Sequence, residues 1–229
     1  MSSVISAADL KIGYSPNSVL AEINDLEIKQ GEIVSIIGKS GIGKTTFLKN
    51  IARLVNPISG TLKVFDSISE PERGVIGYIP QKLGLIKHET VYSNVLEGAI
   101  CNESTLRSLS GFHEEKVIDK VVESIELMNL SDKIDEPIKR LSGGQQRRVA
   151  IARTIAQGPK LILADEFLSE LDDNTVESVW KAIIDYAESN TATLVIVEHN
   201  VDRAKLAKRC FSLEKDSENA ISCLNEVEL

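Results

Sequence analysis

A glycine-rich run near residue 40 has the residue types and spacing of a phosphate-binding loop. Glycines let backbone N–H groups approach phosphate oxygens closely, and a lysine at the end of such a loop reaches the β- and γ-phosphates. A hydroxyl directly after the lysine can join the coordination of Mg²⁺, and a second one can add a phosphate contact. The run therefore predicts a site for a nucleoside triphosphate with Mg²⁺. Its residues are Gly38, Lys39, Ser40, Gly41, Ile42, Gly43, Lys44, Thr45 and Thr46.

The segments on either side of this loop support the same interpretation. The apolar run Ile33–Ile37 predicts a buried strand before the loop, and residues Thr45 to Leu54 predict a helix after it. Strand, glycine loop and helix in that order are the setting that a phosphate-binding loop requires. Lys44 would then lie where the loop joins the helix.

Two adjacent acids follow an apolar run farther along the chain. Residues Leu161 to Ala164 read as a buried strand, and Asp165 and Glu166 come directly after it. Asp165 could hold Mg²⁺ through its water shell, and Glu166 could act as the general base that activates a water molecule. The alternative is a strand that ends in two solvated acids.

A third run, between these two, has the pattern of a helix start. Ser142 can act as an N-cap, and Gly143 and Gly144 allow close approach of the backbone to a ligand. Gln145 begins a helical pattern that continues to Ile155. Backbone N–H groups at such a start would face an anion, although an ordinary capped helix after a turn has the same pattern.

Taken with the phosphate loop, the run Leu141 to Arg148 resembles the signature motif of ATP-binding-cassette (ABC) ATPases. This resemblance spans nearly the whole chain and implies that the ligand is ATP, with Mg²⁺. It implies that Ser142 to Gln145 cap the ATP held by a second copy of the domain. It also implies roles for three single residues. Tyr14 would stack on adenine, Gln81 would touch Mg²⁺ or the attacking water, and His199 would contact the γ-phosphate.

The chain departs from the family pattern at Lys39, where the family often has proline, and at three further positions. Phe167 stands where the family has proline, so the turn after the catalytic glutamate is either more mobile or held by packing. We expect Phe167→Pro to be tolerated, with activity changed by less than about tenfold. Glu170, in the loop from Ser169 to Asp172 that crosses to the partner subunit, and Glu198 add negative charge that we expect near the subunit interface.

Composition narrows the class of protein. The 229 residues carry a net charge of −8, which argues against a nucleic-acid-binding groove. No apolar stretch is long enough to span a bilayer, and Met1 to Leu10 lack the pattern of a signal peptide. Cys101, Cys210 and Cys223 have no metal-type spacing, and we expect them to pack in a reducing cytoplasm.

The pattern along the chain predicts one α/β domain of the P-loop NTPase class. It has a mixed or parallel sheet with flanking helices, an N-terminal antiparallel β subdomain and an inserted helical subdomain. Residues 1–82 and 158–229 form the predicted core with the β subdomain, and residues 83–157 form the helical subdomain. Turns are predicted at Pro16-Asn17, Gln30-Gly31 and Ser59-Gly60, and Asp173-Asn174 is predicted to cap a helix. A predicted helix also carries an apolar stripe for the core, formed by Val117, Val121, Ile125 and Met128.

The function expected from this resemblance is that of the ATP-hydrolysing subunit of a membrane transporter. Its partners would be a second copy or a homologous ATPase subunit, integral membrane subunits and, through them, a solute-binding protein, at the cytoplasmic face of the membrane. Segments Leu85–Gly98, Pro159–Glu166 and His199–Ala204 look similar to phosphonate-importer ATPases. Lipoprotein-releasing and macrolide-type exporter ATPases share part of the pattern, and a soluble mechanical ABC ATPase is a further alternative.

Overall fold

The computed structural model describes residues 2–68, 71–102, 113–169, 171–215 and 221–228. Glu170 lies outside these residues, so its expected place at an interface stays a prediction. Contacts group the chain into two compact units. The first comprises Met1–Glu72, Leu161–Glu166 and Thr191–Leu229, and the second comprises Arg73–Lys160 and Phe167–Asn190.

The first unit is built on a sheet whose central strands are parallel. Its strands are β1 (Ser3–Ser15), β2 (Ser18–Lys29), β3 (Ile33–Ile37), β4 (Ser59–Val64), β6 (Leu161–Asp165), β7 (Thr193–Glu198), β8 (Arg209–Lys215) and β9 (Ser222–Val227). They follow one another in the sheet in the order β4-β1-β2-β9-β8-β3-β7-β6. Strands β8, β3, β7 and β6 are parallel to one another, whereas β9 is antiparallel to β8.

The parallel register brings the ends of three strands to one edge. Ile37 of β3 pairs with Glu198 of β7, and Val197 of β7 pairs with Asp165 of β6. In a parallel sheet the carboxyl ends of neighbouring strands open onto the same side, where ligands bind in open α/β folds. The glycine loop after β3, the two acids at the end of β6 and His199 after β7 therefore meet at this edge.

Strands β1, β2 and β4 form the antiparallel N-terminal part of the same sheet. The predicted turns at Pro16-Asn17 and Gln30-Gly31 are present, but the predicted turn at Ser59-Gly60 is wrong because both residues belong to β4. Gly60 has a φ of 87° beside a break in the β1–β4 register. A side chain at Gly60 would overlap the Asp9 carbonyl, so glycine here serves close strand packing.

Within its described residues, the first unit has two α-helices, α1 (Lys44–Ile51) and α6 (Val201–Ala204). The predicted helix after the glycine loop is confirmed, although it ends before Leu54. Arg53 takes a left-handed backbone with a φ of 59°, which stops the helix. The Arg53 guanidinium then donates to the carbonyls of Leu62 and Ser67, at 2.9 and 3.1 Å.

The second unit is mainly helical. Its elements are β5 (Ile76–Ile79), α2 (Val91–Ala99), α3 (Glu115–Leu127), α4 (Gly143–Gln157) and α5 (Asp173–Ser189). The apolar stripe lies on α3 and its C-cap and is largely core as predicted, since Val121, Ile125 and Met128 are buried, while Val117 is half-buried. The cap of α5 is Asp172, one residue before the predicted pair, because its carboxylate accepts from the Thr175 N–H at 3.0 Å.

The predicted α/β class is confirmed by this arrangement of strands and helices. The central strands are mainly apolar, as is typical of strands that are buried on both faces, and β6 and β7 end in Asp165 and Glu198. Every residue of β6 and of β7 is buried. Across the described ranges, the helices are all too short or too polar to cross a bilayer.

Candidate nucleotide-binding site

The glycine loop between β3 and α1 has a backbone that most residues could not adopt. Gly38, Gly41 and Gly43 have φ angles of 154°, 76° and 119°. A Cβ atom at Gly38 would lie 2.5 Å from the Leu213 carbonyl oxygen, so only glycine fits there. The loop thus exposes backbone at its glycines and ends at a helix N-terminus, which is the geometry that binds phosphate.

Gly43 also connects this loop to the strand that carries Tyr14. It lies against Leu20 and Ala21 of β2 and Ile12 of β1. Tyr14 follows Ile12 by two residues on β1, and its side chain is 81% exposed. The aromatic face is therefore open for stacking, at the end of a strand that packs beside the loop.

Lys44 is buried at the start of α1, and its ammonium group is held by the loop itself. The side-chain nitrogen donates to the carbonyl of Gly38 at 2.6 Å and to that of Lys39 at 3.0 Å. Burial lowers the pKa of Lys44, while the nearby charges of Glu166, Asp165 and Glu198 raise it. The three carboxylates thus favour the charged form that a phosphate ligand requires.

Asp165, at the end of β6, has two carboxylate oxygens without a hydrogen-bond partner among the described residues. The side chain is buried, and this burial raises the pKa of Asp165. The Thr45 hydroxyl lies alongside and lowers that pKa, yet it does not complete a hydrogen bond of ordinary geometry. Oxygens that are buried and unsatisfied fit a cation.

This donor set suits Mg²⁺ better than a metal that needs a protein cage. The described residues contain no group of three or more His, Cys, Asp or Glu side chains that could hold a metal ion. Mg²⁺ needs only one or two protein oxygens, because waters and substrate phosphates complete its shell. Asp165 and Thr45 offer a carboxylate and a hydroxyl beside the phosphate loop.

Glu166 and His199 contact each other at the same edge of the sheet. The Glu166 Oε1 atom lies 3.3 Å from Nδ1 of His199. Glu166 has a φ of 51°, a left-handed backbone that is unusual for this residue, and its N–H donates to the Val197 carbonyl at 2.9 Å. The side chain of Glu166 is 17% exposed and that of His199 is 58% exposed, so both can reach a ligand.

Glu198 is a buried acid at the end of β7. The residue is 1% exposed, and its charge acts on Lys44. Every residue of β7 is buried, as is typical of a strand that is covered on both faces. The expected place of Glu198 near a subunit interface stays a prediction.

A cavity of about 840 Å³ lies beside the glycine loop. Tyr14, the predicted contact of adenine, and Lys44 are not among its lining residues. The lining residues are Ile37 to Ile42 of the loop region, His199, Val201 and Ser212 to Lys215 of β8.

The remaining predicted residues lie in the second unit. Ser142 is the N-cap of α4, and its hydroxyl accepts from the Gln145 N–H at 3.2 Å. The Gln145 side-chain oxygen accepts from the Ser142 N–H at 2.9 Å, which completes a capping box. The helix starts at Gly143 rather than at Gln145, because this box fixes its first turn. Gln81 is exposed in the loop after β5.

Two side chains that the sequence analysis did not single out hold the loop after Gln81. Arg153 of α4 donates to the carbonyls of Leu83 and Gly84, and Asn94 of α2 bonds to both backbone groups of Ile86. Each is a polar residue on a helix with an apolar face, and in the sequence it is indistinguishable from a solvated one.

The fold and the site define a P-loop nucleotide-binding protein, and the family follows from comparison with known proteins. The family model described as ABC transporter matches residues 22–169, and the chain therefore belongs to this family. It is an ATP-hydrolysing cassette, as the sequence predicted.

Relatives match over most of their length. A phosphonates import ATP-binding protein, PhnC 1 of Halalkalibacterium halodurans, is 38% identical over 199 residues, which are 83% of this chain and 77% of the relative. The L-cystine transport system ATP-binding protein TcyN of Escherichia coli is 36% identical over 227 residues, which are 93% and 87% of the two chains. Among solved structures, the dimeric post-hydrolysis state of the cassette MJ0796 bound to ADP and Pi matches with a TM-score of 0.79 and 28% identity, covering 91% of this chain and 93% of that one.

Proposed function

We propose that this chain is the peripheral ATPase subunit of an importer and works at the cytoplasmic face of the membrane. The imported solute is a phosphonate or a related small molecule. This proposal is supported by the relatives named for phosphonate import and L-cystine transport, which match over three quarters or more of their lengths. The membrane-spanning subunits and a solute-binding protein are separate chains in this scheme.

The observation that carries the proposed chemistry is the group of charged side chains around the glycine loop. Lys44 binds the β- and γ-phosphates, which replace the loop carbonyls that now hold its ammonium group. Glu166 accepts a proton from the attacking water, and His199, 3.3 Å away, contacts the γ-phosphate. Backbone N–H groups from Gly38 to Thr46 bind the remaining phosphate oxygens, and Tyr14 stacks on adenine.

Asp165 and Thr45 are the proposed ligands of Mg²⁺, with Gln81 as a further one. When bound, Mg²⁺ neutralises charge on the β- and γ-phosphates. The buried oxygens of Asp165 support this assignment because a carboxylate with no hydrogen-bond partner is costly unless it meets a cation.

Two copies meet head to tail about a two-fold axis, with ATP between them. Ser142, Gly143, Gly144 and Gln145 of one copy cap the ATP that Lys44 of the other copy binds. Closure moves the attached membrane subunits, through a coupling surface near Gln81 to Tyr92. Hydrolysis removes the γ-phosphate contacts and releases the dimer.

The test starts from the membrane partner. A tagged chain is co-expressed with candidate membrane subunits and purified in detergent, and the complex is reconstituted with its solute-binding protein in vesicles. We expect ATP-dependent uptake of a radiolabelled phosphonate, and no uptake with Lys44→Ala. Uptake of cystine but not of phosphonate would overturn the proposal that the solute is a phosphonate. Extrusion instead of uptake would overturn import, and the failure of any membrane subunit to co-purify would favour a soluble ATPase.

A further inference from the structure

The loop between β5 and α2 begins next to Gln81 and is held from α4 by one arginine. Arg153 donates from Nη2 to the Leu83 carbonyl at 2.7 Å and from Nη1 to the Gly84 carbonyl at 2.9 Å. A guanidinium is planar and presents its donors as a fixed fork, so two successive carbonyls define its position. Burial lowers the pKa of Arg153 and the charge of Glu97 raises it, but a guanidinium stays protonated.

The far side of the same loop is held by an asparagine. Asn94 is 1% exposed, and its side-chain oxygen accepts from the Ile86 N–H at 2.8 Å. Its amide nitrogen donates to the carbonyls of Ile86 and Thr90, at 3.2 and 2.9 Å. Residues 83–86 therefore lie between the half-buried side chain of Arg153 on α4 and the buried side chain of Asn94 on α2.

Helices α2 and α4 contact each other at Arg153, the residue that binds the loop. Gly98 of α2 lies so close to α4 that a Cβ atom at this position would overlap the carbonyl of Arg153. A glycine at such a contact lets two helix backbones approach closely. The arginine that binds the loop therefore lies where α2 and α4 pack closely together.

Helix α4 carries the signature residues at its other end. Ser142 caps the helix, and Arg153 follows eleven residues later, or about 16 Å along the axis at 1.5 Å per residue. One helix thus joins the end that faces the partner's ATP, in the proposed dimer, to the loop after Gln81.

We propose that Arg153 is a positioning residue, which holds the Gln81 loop on the signature helix so that Gln81 and the Ser142 end of α4 respond together to bound nucleotide. This inference rests on the proposed role of Gln81 in hydrolysis. Arg153 itself touches neither ATP nor water in this scheme. It acts by restricting where Gln81 can lie.

The first test is hydrogen exchange of the intact, nucleotide-free chain. Arg153→Met removes both hydrogen bonds while keeping an unbranched side chain, and Arg153→Lys keeps one donor group. We expect amides 82–86 to exchange at least fivefold faster in Arg153→Met and to be partly restored in Arg153→Lys. Gln157→Met is the matched control, because Gln157 lies one turn later on α4 and donates to the carbonyls of Gly74 and Ile76 instead. It should speed exchange only near residues 74–77.

The second test separates positioning from a general loss of structure. Lys44 and the glycine loop bind the nucleotide without Arg153, so KM for Mg-ATP should change by less than twofold in Arg153→Met. The kcat should fall about tenfold, as it should in Gln81→Ala, and Gln157→Met should keep its kcat within twofold. The positioning role is overturned if Gln81→Ala loses kcat while Arg153→Met does not, or if loop exchange is unchanged. If neither variant loses kcat, the role of Gln81 fails with it.

Discussion

The ammonium group of Lys44 is held by two carbonyls of its own loop, which places its positive charge at the predicted phosphate site. We predict that Lys44→Ala abolishes hydrolysis, because the site then lacks its positive charge on the β/γ-phosphates. Steady-state phosphate release with Mg-ATP measures this directly. Lys39→Ala is the matched control, since Lys39 contributes its carbonyl and not its side chain to this contact. A folded Lys44→Ala variant with near-wild-type turnover would remove Lys44 from the role.

The structure of Phe167 decides between the two predicted alternatives for the turn after Glu166, a mobile turn and a turn held by packing. Its side chain is fully buried and packs against Trp180, with ring centroids 6.3 Å apart, so packing holds the turn after Glu166. We predict that Phe167→Pro lowers the free energy of unfolding by roughly 3 kcal/mol, because truncating a buried phenylalanine leaves a cavity. Turnover of the protein that stays folded should change by less than about tenfold.

Chemical denaturation measures the stability part of this prediction, and phosphate release below the melting transition measures the activity part. Phe167→Leu retains most of the apolar volume and should cost about 1 kcal/mol. Equal stability of Phe167→Pro and the wild type would show that this burial contributes nothing to folding.

Among the elements, α5 carries a tyrosine that bonds to the segment after α4. The Tyr186 hydroxyl donates to the Pro159 carbonyl at 3.1 Å, and burial raises the pKa of Tyr186 to about 12. Because this folded-state pKa lies above the unfolded value of about 10, the stability it contributes is fully present below pH 10. That stability is lost as the pH rises towards 12.

We therefore predict that Tyr186→Phe changes how stability depends on pH. At pH 7 it should cost about 1 kcal/mol, the value of one hydrogen bond. Between pH 10 and 12 the wild type should lose stability faster than the variant, in denaturant titrations at each pH. Tyr14→Phe, at an exposed ring, should leave both curves unchanged, and parallel curves for wild type and Tyr186→Phe would show that the phenol does not titrate differently on folding.

The elements around the site were predictable where local chemistry decides the structure. The strand at Ile33–Ile37 and the cap at Ser142 were both predicted, because unbroken apolar runs and capping residues act within a few positions. The strand at Ser59-Gly60 was wrongly predicted as a turn. Gly60 is required there because its backbone lies against the Asp9 carbonyl, and that contact is to a residue 51 positions earlier in the sequence. The end of α1 depends on the left-handed backbone of Arg53. A glycine at this position would have predicted the end of the helix, but an arginine does not.

The candidate site likewise has residues that local sequence patterns predict and residues that depend on distant contacts. Lys44 and the acids after β6 form spaced motifs, so their grouping at one sheet edge could be expected from the strand pattern alone. Arg153 and Asn94 act on carbonyls and amides of a distant loop, and nothing in a local pattern marks them. The burial of Glu198 depends on what packs against the two faces of β7 in the folded chain, which a local pattern does not report.

For the whole molecule, the proposed dimer gives a prediction about association. Without nucleotide the chain should be mostly monomeric, because like charges at the facing surfaces, including those of Glu166 and Asp172, oppose closure. ATP bridges two copies, and hydrolysis breaks that bridge. Glu166→Gln keeps the shape of the side chain but removes the base, so this variant should accumulate as a dimer with two ATP molecules.

Light scattering after gel filtration, with and without ATP, measures this association. The double variant Glu166→Gln/Ser142→Arg is the control, because it should bind ATP as a monomer. A Glu166→Gln variant that binds ATP but stays monomeric at high protein concentration and low salt would contradict association of the chain by itself. The measurement should then be repeated with the membrane subunits present.

The backbone of Glu166 implies a trade-off between stability and activity. A side-chain-bearing residue at a φ of 51° costs about 1 kcal/mol relative to an ordinary backbone, whereas glycine adopts this conformation freely. We predict that Glu166→Gly resists denaturant better than the wild type while losing hydrolysis, and that Glu166→Gln, which carries the same strain, loses hydrolysis without that gain. If both variants unfold with the wild type, the left-handed backbone costs no more than the conformational entropy that glycine adds to the unfolded chain. If they differ as expected, selection for turnover has kept this chain slightly less stable than its own fold allows.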